Sequence, residues 1–125
     1  MNNFEWSDAR SVPEALALLG DAKAGAIKAG GVDVLDLLKE RIAAPSRLVN
    51  IRNVRDLDYI KLDGNGTLRL GPLATLAKVS ADGGVREKFT ALADACGHAA
   101  TPQVRNMATV GGNLLQRPRC WYFRH

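Results

Sequence analysis

The first fifty residues contain short apolar segments of two kinds, which predict a small unit of strands and helices. An apolar-polar-apolar stretch over 4–6 is typical of an edge strand. Apolar residues at helical spacing over 12–19 predict a helix, and Ser11 and Glu14 have the spacing of a capping box at its start. Gly20 is placed to end this helix. The buried face is predicted to comprise Ala15, Leu16, Leu18 and Leu19.

A strand, a glycine pair and a second helix are predicted to follow in order. Residues 24–29 have the length and apolar content of a short buried strand, and Gly30-Gly31 interrupts it. Residues 33–40 have helical spacing, with acidic side chains early and a basic one late, as the helix dipole favours. The next strand candidate is 47–51, and the intervening length allows a crossover helix. The segment therefore predicts a parallel β-α-β unit.

Beyond residue 56 the apolar period changes from that of helices to that of strands and back. Alternating residues over 57–62 and 68–70 lie on either side of an Asp-Gly-Asn-Gly tetrapeptide, which predicts a β-hairpin. Helical spacing returns in 73–79 and in 85–96. We expect the segment 101–113 to be rich in loops.

Composition places the chain among ordinary globular domains. Its 125 residues are 46% hydrophobic and 24% charged, which argues against disorder and against membrane spanning. Residues 1–10 lack the basic and apolar regions of a signal peptide or an anchor, so a cytoplasmic location is expected. Two cysteines are too few for a disulfide scaffold, and Cys96, in a predicted helix, is expected to be a buried apolar residue.

The distribution of charge is more informative than its sum of +4. All 13 acidic residues lie at or before Asp94, together with 13 of the 17 basic ones, so the segment 1–94 is neutral. The surplus comes from Arg105, Arg117, Arg119 and Arg124. Because aromatic residues 121–123 are interleaved with these arginines, one interpretation is a small basic module that binds nucleic acid or another protein. Solvated side chains, or a surface for an anionic cofactor or an acidic partner, are the other interpretations.

Two glycine pairs are the candidate sites of chemistry. A glycine pair lets backbone N–H groups approach an anion, and a following helix adds the attraction of its N-terminal dipole. The pair at 30–31 fits that description, and the pair at 111–112 is flanked by the polar Thr109 and Asn113. Neither pair matches the Rossmann or P-loop pattern. Each pair taken alone is typical of a tight turn or a bulge.

In combination, the two pairs carry a family resemblance. Residues 29–35 (AGGVDVL) and 104–114 (VRNMATVGGNL) resemble the two pyrophosphate-binding motifs of the FAD-binding (medium) subunits of molybdenum hydroxylases. Xanthine dehydrogenase, carbon monoxide dehydrogenase and aldehyde oxidoreductases belong to this family. Residues 67–76 (TLRLGPLATL) look like the segment between the motifs, so the resemblance covers essentially the whole chain. It corresponds only to the N-terminal part of such a subunit.

The resemblance implies an α+β fold of the vanillyl-alcohol-oxidase-like (PCMH-type) FAD-binding class. Residues 1–55 would form a small α/β lobe and residues 56–125 the truncated start of a second α+β lobe, with the FAD pyrophosphate between them. Residues 116–123 (QRPRCWYF) look like the iron-sulfur branch of aldehyde oxidoreductase flavin subunits, in which the cysteine matching Cys120 ligates a [4Fe-4S] cluster. The implied cofactor-binding residues are Lys28, Ala29, Gly30, Gly31, Val32, Asp33, Val34, Thr109, Gly111, Gly112 and Asn113.

The resemblance also implies a function in electron transfer. Electrons would pass from a molybdopterin-binding large subunit and a [2Fe-2S] small subunit through FAD to an external acceptor. No catalytic side chain is implied, because the flavin carries the chemistry of an FAD-dependent oxidoreductase. A nucleic-acid partner and a membrane span are not expected. His98 and His125 lie outside any metal-ligand spacing and are expected to be structural or solvated.

Overall fold

A three-stranded parallel sheet forms the first part of the molecule. The computed structural model describes residues 2–21 and 24–124. The strands are β1 (Glu5–Asp8), β2 (Gly25–Lys28) and β3 (Arg47–Asn50), in the order β1-β3-β2, and both pairings are parallel. The predicted parallel unit and the predicted edge strand are confirmed. The central strand β3 is the most deeply buried, as expected for a strand with neighbours on both sides.

The helix between the first two strands is capped nearly as the sequence predicts. Helix α1 (Val12–Leu19) begins where the Ser11 hydroxyl accepts a hydrogen bond from the Glu14 N–H at 3.2 Å. The Glu14 carboxylate accepts from the Arg10 N–H at 2.8 Å, one residue earlier than in a standard capping box. Gly20 ends the helix with a φ of +57°.

One member of the predicted buried face of α1 is wrong. Leu16 is 63% exposed, whereas Ala15 is buried. Positions 15, 18 and 19 have the i, i+3, i+4 spacing of a single stripe, and Leu16 lies beside that stripe. A helix of eight residues on the margin of a small sheet buries only the stripe.

The strand, glycine pair and second helix are confirmed. Helix α2 (Val32–Lys39) starts directly after Gly31, whose φ of +85° lies in the left-handed region that glycine favours. The helix buries Leu37 and Leu38 and leads towards β3. Its first turn therefore lies beyond the carboxyl end of β2, at the edge where ligands bind in parallel sheets.

The rest of the chain is a hairpin followed by short helices. The predicted hairpin is confirmed as the antiparallel pair β4 (Ile60–Leu62) and β5 (Leu68–Leu70), preceded by a 3-10 turn at Arg55–Leu57. The helices are α3 (Leu76–Ala81), α4 (Gly83–Lys88), α5 (Thr90–His98), α6 (Pro102–Met107), α7 (Val110–Leu114) and α8 (Trp121–Arg124).

Three sequence-based boundaries in this part need correction. The helix predicted over 73–79 begins only at Leu76, because the Thr75 hydroxyl caps it by accepting from the Lys78 N–H. The helix predicted over 85–96 is two helices, since the backbone at Phe89 departs from helical geometry. The segment 101–113 was expected to be loop-rich and instead contains α6 and α7.

Two clusters of buried side chains stabilise the fold. One consists of Ala9, Ala15, Val49, Val54 and Leu73, and the other of Ala74, Leu76, Val79, Val85, Ala93 and Cys96. The chain passes from one cluster to the other between Leu73 and Ala74. The boundary at residue 55 between two lobes remains a prediction. Across residues 2–21 and 24–124, no helix has both the length and the apolar character needed to cross a membrane.

Candidate cofactor-binding site

The two glycine motifs meet around one cavity of about 310 Å³. They are about eighty residues apart in the chain, and the fold places the start of α2 opposite α7. The predicted residues that line the cavity are Ala29, Gly30, Gly31, Val32, Asp33, Val34, Thr109, Gly111, Gly112 and Asn113. Most of the remaining wall is apolar. The sequence therefore identified residues that the fold brings together.

The first motif presents the uncapped start of a helix to the cavity. Gly31 is the N-cap of α2 and has no side chain, and in the part of the chain described here no side chain caps this helix. The first intrahelical bond is donated by the Leu35 N–H to the Gly31 carbonyl at 3.1 Å. The N–H groups of Val32, Asp33 and Val34 therefore have no acceptor within the helix. Such a turn attracts an anion through its N–H groups and its dipole.

Gly30 is required by chain packing rather than by its conformation. A Cβ at this position would overlap the carbonyl oxygen of Met107, at the end of α6. Sequence reasoning had attributed the absence of a side chain at Gly30 to the approach of a ligand. The structure adds a separate reason, the close approach of two chain segments.

The second motif uses its backbone donors within the protein. The Gly111 N–H donates to the Pro72 carbonyl at 2.9 Å, and the Gly112 N–H donates to the Thr109 hydroxyl oxygen at 3.2 Å. The Asn113 N–H donates to the Thr109 carbonyl at 2.8 Å. The second glycine pair is thus part of a capped helix and not a bulge. Its free donors are the side chains, because the buried Thr109 hydroxyl keeps its proton and the Asn113 amide is exposed.

Lys28, also predicted to bind the cofactor, lies outside this lining. It is the last residue of β2 and is paired in register with Asn50, whose Oδ1 is 3.4 Å from the Lys28 Nζ. The same ammonium lies 5.4 Å from the centre of the Trp6 ring. Burial lowers the pKa of Lys28, and the nearby Arg52 adds to this effect. The Lys28 ammonium group therefore contacts residues of both other strands, Asn50 of β3 and Trp6 of β1.

Strand β1 joins the same network of polar contacts through Asp8 and Trp6. The Asn50 Nδ2 donates to the Asp8 Oδ1 at 2.6 Å, and the Trp6 Nε1 donates to the other oxygen at 2.9 Å. The hydrogen bond from Asn50, followed by that from Trp6, holds the pKa of Asp8 below its usual value. The carboxyl edge of the sheet is therefore cross-linked by polar side chains next to the glycine turn.

The basic C-terminal segment docks on the acidic face of α2. Arg124 donates from Nη1 to Glu40 Oε2 at 2.6 Å and to Asp36 Oδ2 at 3.1 Å. Arg119 donates from Nε to Asp36 Oδ2 at 3.3 Å, and it also lines the cavity. The hydrogen bond from Arg124 is the main reason that the pKa of Asp36 is lowered. Half of the C-terminal positive surplus is thus paired within the chain, which removes much of the support for a nucleic-acid-binding module.

Arg119 is a lining residue that the motif analysis missed, together with Gln116 and Leu115. The neutral charge of residues 1–94 had shown that the positive surplus is C-terminal, but it could not show which acidic side chains it faces. The spacing of Asp33, Asp36 and Glu40 on one side of α2 was the signal available in the sequence.

The two cysteines differ in environment. Cys96 is buried in the second core cluster, as expected, and burial raises the pKa of its thiol. Cys120 is an exposed free thiol. Within the described residues no group of three or more His, Cys, Asp or Glu side chains could hold a metal ion. These residues alone therefore do not supply the ligand set of an iron-sulfur cluster.

The described histidine, His98, makes a structural contact. The His98 Nδ1 is 2.8 Å from the Asp94 carbonyl oxygen, one turn earlier in α5, which is a structural contact. His125 lies outside the described residues.

The known proteins that this chain resembles are FAD-binding domains or subunits. Residues 2–119 match the family described as the FAD binding domain in molybdopterin dehydrogenase. The chain is 33% identical over 116 residues to the nicotinate dehydrogenase FAD-subunit of Eubacterium barkeri, covering 91% of this chain and 39% of the relative. It is 41% identical over 95 residues to the aldehyde oxidoreductase FAD-binding subunit PaoB of Escherichia coli (strain K12), covering 76% and 30%. The chain thus spans well under half the length of these relatives.

Solved structures of relatives share the fold. Carbon monoxide dehydrogenase from Hydrogenophaga pseudoflava has a chain that superposes with a TM-score of 0.83 at 33% identity, covering 90% of this chain and 39% of that one. Quinoline 2-oxidoreductase from Pseudomonas putida 86 gives 0.84 at 34% identity, with the same coverage. The expected PCMH-type FAD-binding fold is confirmed. On its sequence and its fold, the chain belongs to the family of FAD-binding domains of molybdopterin dehydrogenases.

Proposed function

We propose that this chain is the FAD-binding part of the medium subunit of a molybdenum hydroxylase. In this role it takes electrons from molybdopterin and iron-sulfur partner subunits and passes them through FAD to an external acceptor. One observation carries the proposal: two glycine motifs about eighty residues apart line one cavity, at a helix start that no side chain in residues 2–21 and 24–124 caps. A small basic binding module has no need of that arrangement.

The residues present fit a pyrophosphate. This group carries two negative charges, and the uncapped N–H groups of Val32, Asp33 and Val34 are donors for its oxygens. On the opposite wall, the Thr109 hydroxyl and the Asn113 amide add side-chain donors. Most of the remaining wall is apolar, which lowers the local dielectric and strengthens each of these interactions. When bound, FAD supplies the redox chemistry, and the side chains here bind and orient it.

A change of charge at Asn113 tests the proposal. In Asn113→Asp, an acceptor of nearly the same shape replaces a donor and adds a negative charge beside the pyrophosphate. We expect FAD to bind at least about tenfold more weakly in the complete medium subunit that contains these residues, called the full chain below. The affinity is measured by flavin fluorescence and by absorbance near 450 nm. Asn65→Asp is the matched control, because Asn65 lies in the hairpin turn, where its Oδ1 accepts from the Thr67 N–H and an aspartate oxygen can do the same.

The results of this experiment distinguish an error in the proposed site from an error in the proposed function. Retained affinity in Asn65→Asp and lost affinity in Asn113→Asp support the proposed site. Equal affinity in the two variants places FAD elsewhere. A full chain that binds no FAD at micromolar concentration overturns the function itself.

The partners proposed for this chain are inferred from the names of its relatives, which describe subunits of larger enzymes. They include a protein named as the medium chain of a carbon monoxide dehydrogenase and another named as the FAD-subunit of a nicotinate dehydrogenase. We therefore propose a large molybdopterin-binding subunit and a small [2Fe-2S] subunit as partners of this chain, in the cytoplasm. Co-purification of a tagged full chain with molybdenum and iron tests this assignment. Purification of the chain alone under native conditions contradicts it.

Cys120 is proposed as one thiolate ligand of a [4Fe-4S] cluster whose other ligands lie outside these 125 residues. Its thiol is exposed and unpaired by disulfide, and the segment around it resembles the iron-sulfur branch of aldehyde oxidoreductase flavin subunits. Iron bound by the full chain should fall sharply in Cys120→Ala and remain in Cys96→Ala. Unchanged iron content in Cys120→Ala rules out the ligand.

A further inference from the structure

The proposed anion site contains an anionic side chain of its own. Asp33 is in the first turn of α2 and lines the cavity, and its side chain is only 17% exposed. A carboxylate at this position stabilises the helix through the dipole. It also repels a second anion at the same helix start, so its charge opposes the binding of a pyrophosphate.

Two guanidinium groups and one backbone N–H of the C-terminal segment surround this carboxylate. The Arg119 Nη2 is 3.7 Å and the Arg124 Nη2 is 3.9 Å from the Asp33 Oδ1, and the Arg117 N–H donates to the Oδ2 at 3.4 Å. Arg124 is the most buried of these, with a side chain only 6% exposed, and it lies outside the cavity lining. Its Nη2 and the Asp33 Oδ1 are both buried without a hydrogen-bond partner among the described residues.

We propose that Arg124 is a positioning residue of the pyrophosphate site, which acts through Asp33. Its guanidinium neutralises the Asp33 carboxylate and holds it on the side of α2 that faces α8. The first turn can then present its N–H groups and its dipole to a dianion without an opposing charge. Hydrogen bonds to Asp36 and Glu40 fix the guanidinium in place. The inference rests on the proposed function and adds a residue that the glycine motifs do not contain.

The test is a rescue experiment on FAD affinity in the full chain. Arg124→Gln leaves the Asp33 charge unopposed by Arg124, and we expect FAD to bind about tenfold more weakly. Adding Asp33→Asn removes that charge while keeping the backbone N–H, so affinity should return to within about twofold of the original. Adding Asp36→Asn instead is the matched control. It removes the carboxylate one helical turn further along and should leave most of the loss in place.

A second pair of variants covers the case in which Arg124→Gln disturbs folding. Arg124→Lys keeps a cation and should retain most of the affinity. Asp33→Asn alone removes a negative charge beside the site while Arg119 and Arg124 remain on Asp36 and Glu40, so FAD should bind about threefold more tightly and with a steeper dependence on salt.

Failure of this inference differs from failure of the proposed function. If the unaltered full chain binds FAD and Asp33→Asn changes neither affinity nor salt dependence, Arg124 does not act through Asp33. Equal rescue of Arg124→Gln by the changes at Asp33 and Asp36 also overturns the inference, because docking of α8 would then be the whole effect. Absence of FAD binding in the unaltered chain overturns the function first.

Discussion

The two glycine pairs face the same cavity, yet their backbones are used in opposite ways. At Gly30-Gly31 the following helix starts without a side-chain cap from any residue that the structure describes, and its first N–H groups have no acceptor within the helix. At Gly111-Gly112 the N–H groups already donate to Pro72 and Thr109. The first pair is followed by free backbone donors at the start of α2, whereas the second pair lies in a capped helix whose available donors are the side chains of Thr109 and Asn113.

This difference shows what a glycine pair means in a sequence. Gly30 lacks a side chain because Met107 lies against it, and Gly111 because a Cβ would come within 2.9 Å of the Pro72 side chain. Close chain packing therefore explains one glycine of each pair without any ligand. Capping is the feature that separates the pairs, since only the uncapped helix leaves N–H groups for an anion.

The largest expected effect on stability tests the close packing of Met107 against Gly30. Gly30→Ala places a Cβ on the Met107 carbonyl oxygen, which is backbone and cannot rotate away. We expect the free energy of unfolding to fall by at least about 3 kcal/mol, measured by denaturant unfolding. Gly83→Ala is the control, because a Cβ there meets nothing within 4 Å, and it should be neutral or stabilise by about 0.5 kcal/mol. Equal stability of the two variants contradicts the close approach.

The same contrast explains how far sequence reasoning reached. The parallel unit and the hairpin were predictable because periodicity and turn chemistry act locally. The meeting of both motifs at one cavity was predictable because their combination resembles that of a known family. The split at Phe89 was not predictable, since no glycine or proline marks it in the sequence, and the backbone leaves helical geometry where Phe89 packs against the core. The docking of Arg124 on α2 was not predictable either, because the acidic spacing on α2 does not show which arginine, 84 to 91 positions further along the chain, contacts it.

A second prediction compares one glycine from each pair. Gly31→Ala places a side chain at a φ of +85°, which costs about 1–2 kcal/mol in the left-handed region. Gly112→Ala lies inside α7 at an ordinary helical position, where a Cβ meets only the Thr109 hydroxyl oxygen at 3.1 Å. Its stability should change by less than about 0.5 kcal/mol, since helix propensity offsets the tight contact. A larger loss in Gly112→Ala than in Gly31→Ala would reverse the roles assigned to the pairs.

A third prediction separates capping from ligand binding at the second pair. Thr109→Val removes the oxygen that accepts from the Gly112 N–H, and Thr101→Val removes the equivalent cap from Val104 at the start of α6. Each change should lower the free energy of unfolding by about 1 kcal/mol. Only Thr109→Val should also weaken FAD binding in the full chain, because Thr109 lines the cavity. Unchanged FAD affinity in Thr109→Val means that its hydroxyl only caps the helix.

The smallest expected effect on stability concerns the contacts that hold each glycine pair in place. The helix after the first pair depends on ion pairs with Arg119 and Arg124, whereas the second pair is held by its own backbone bonds. The pKa of Asp36 is lowered in the folded state, chiefly by the hydrogen bond from Arg124, so the stabilisation is present above the unfolded pKa. It is lost as the pH falls through the lowered pKa.

Asp36→Asn tests this dependence directly. The stability difference between the original chain and this variant should be about 0.5 kcal/mol at pH 7 and should shrink progressively as the pH falls below the ordinary aspartate pKa, measured by denaturant unfolding at each pH. Asp33 and Glu40 also face Arg124, so part of the docking persists in the variant. Asp94→Asn is the comparison, because this carboxylate lies on α5, whereas the ion pairs of Arg119 and Arg124 are made with carboxylates on α2 and at its C-terminal end. A stability difference at Asp36 that is the same at pH 3 and pH 7 would show that the ion pairs do not hold the first glycine pair in place.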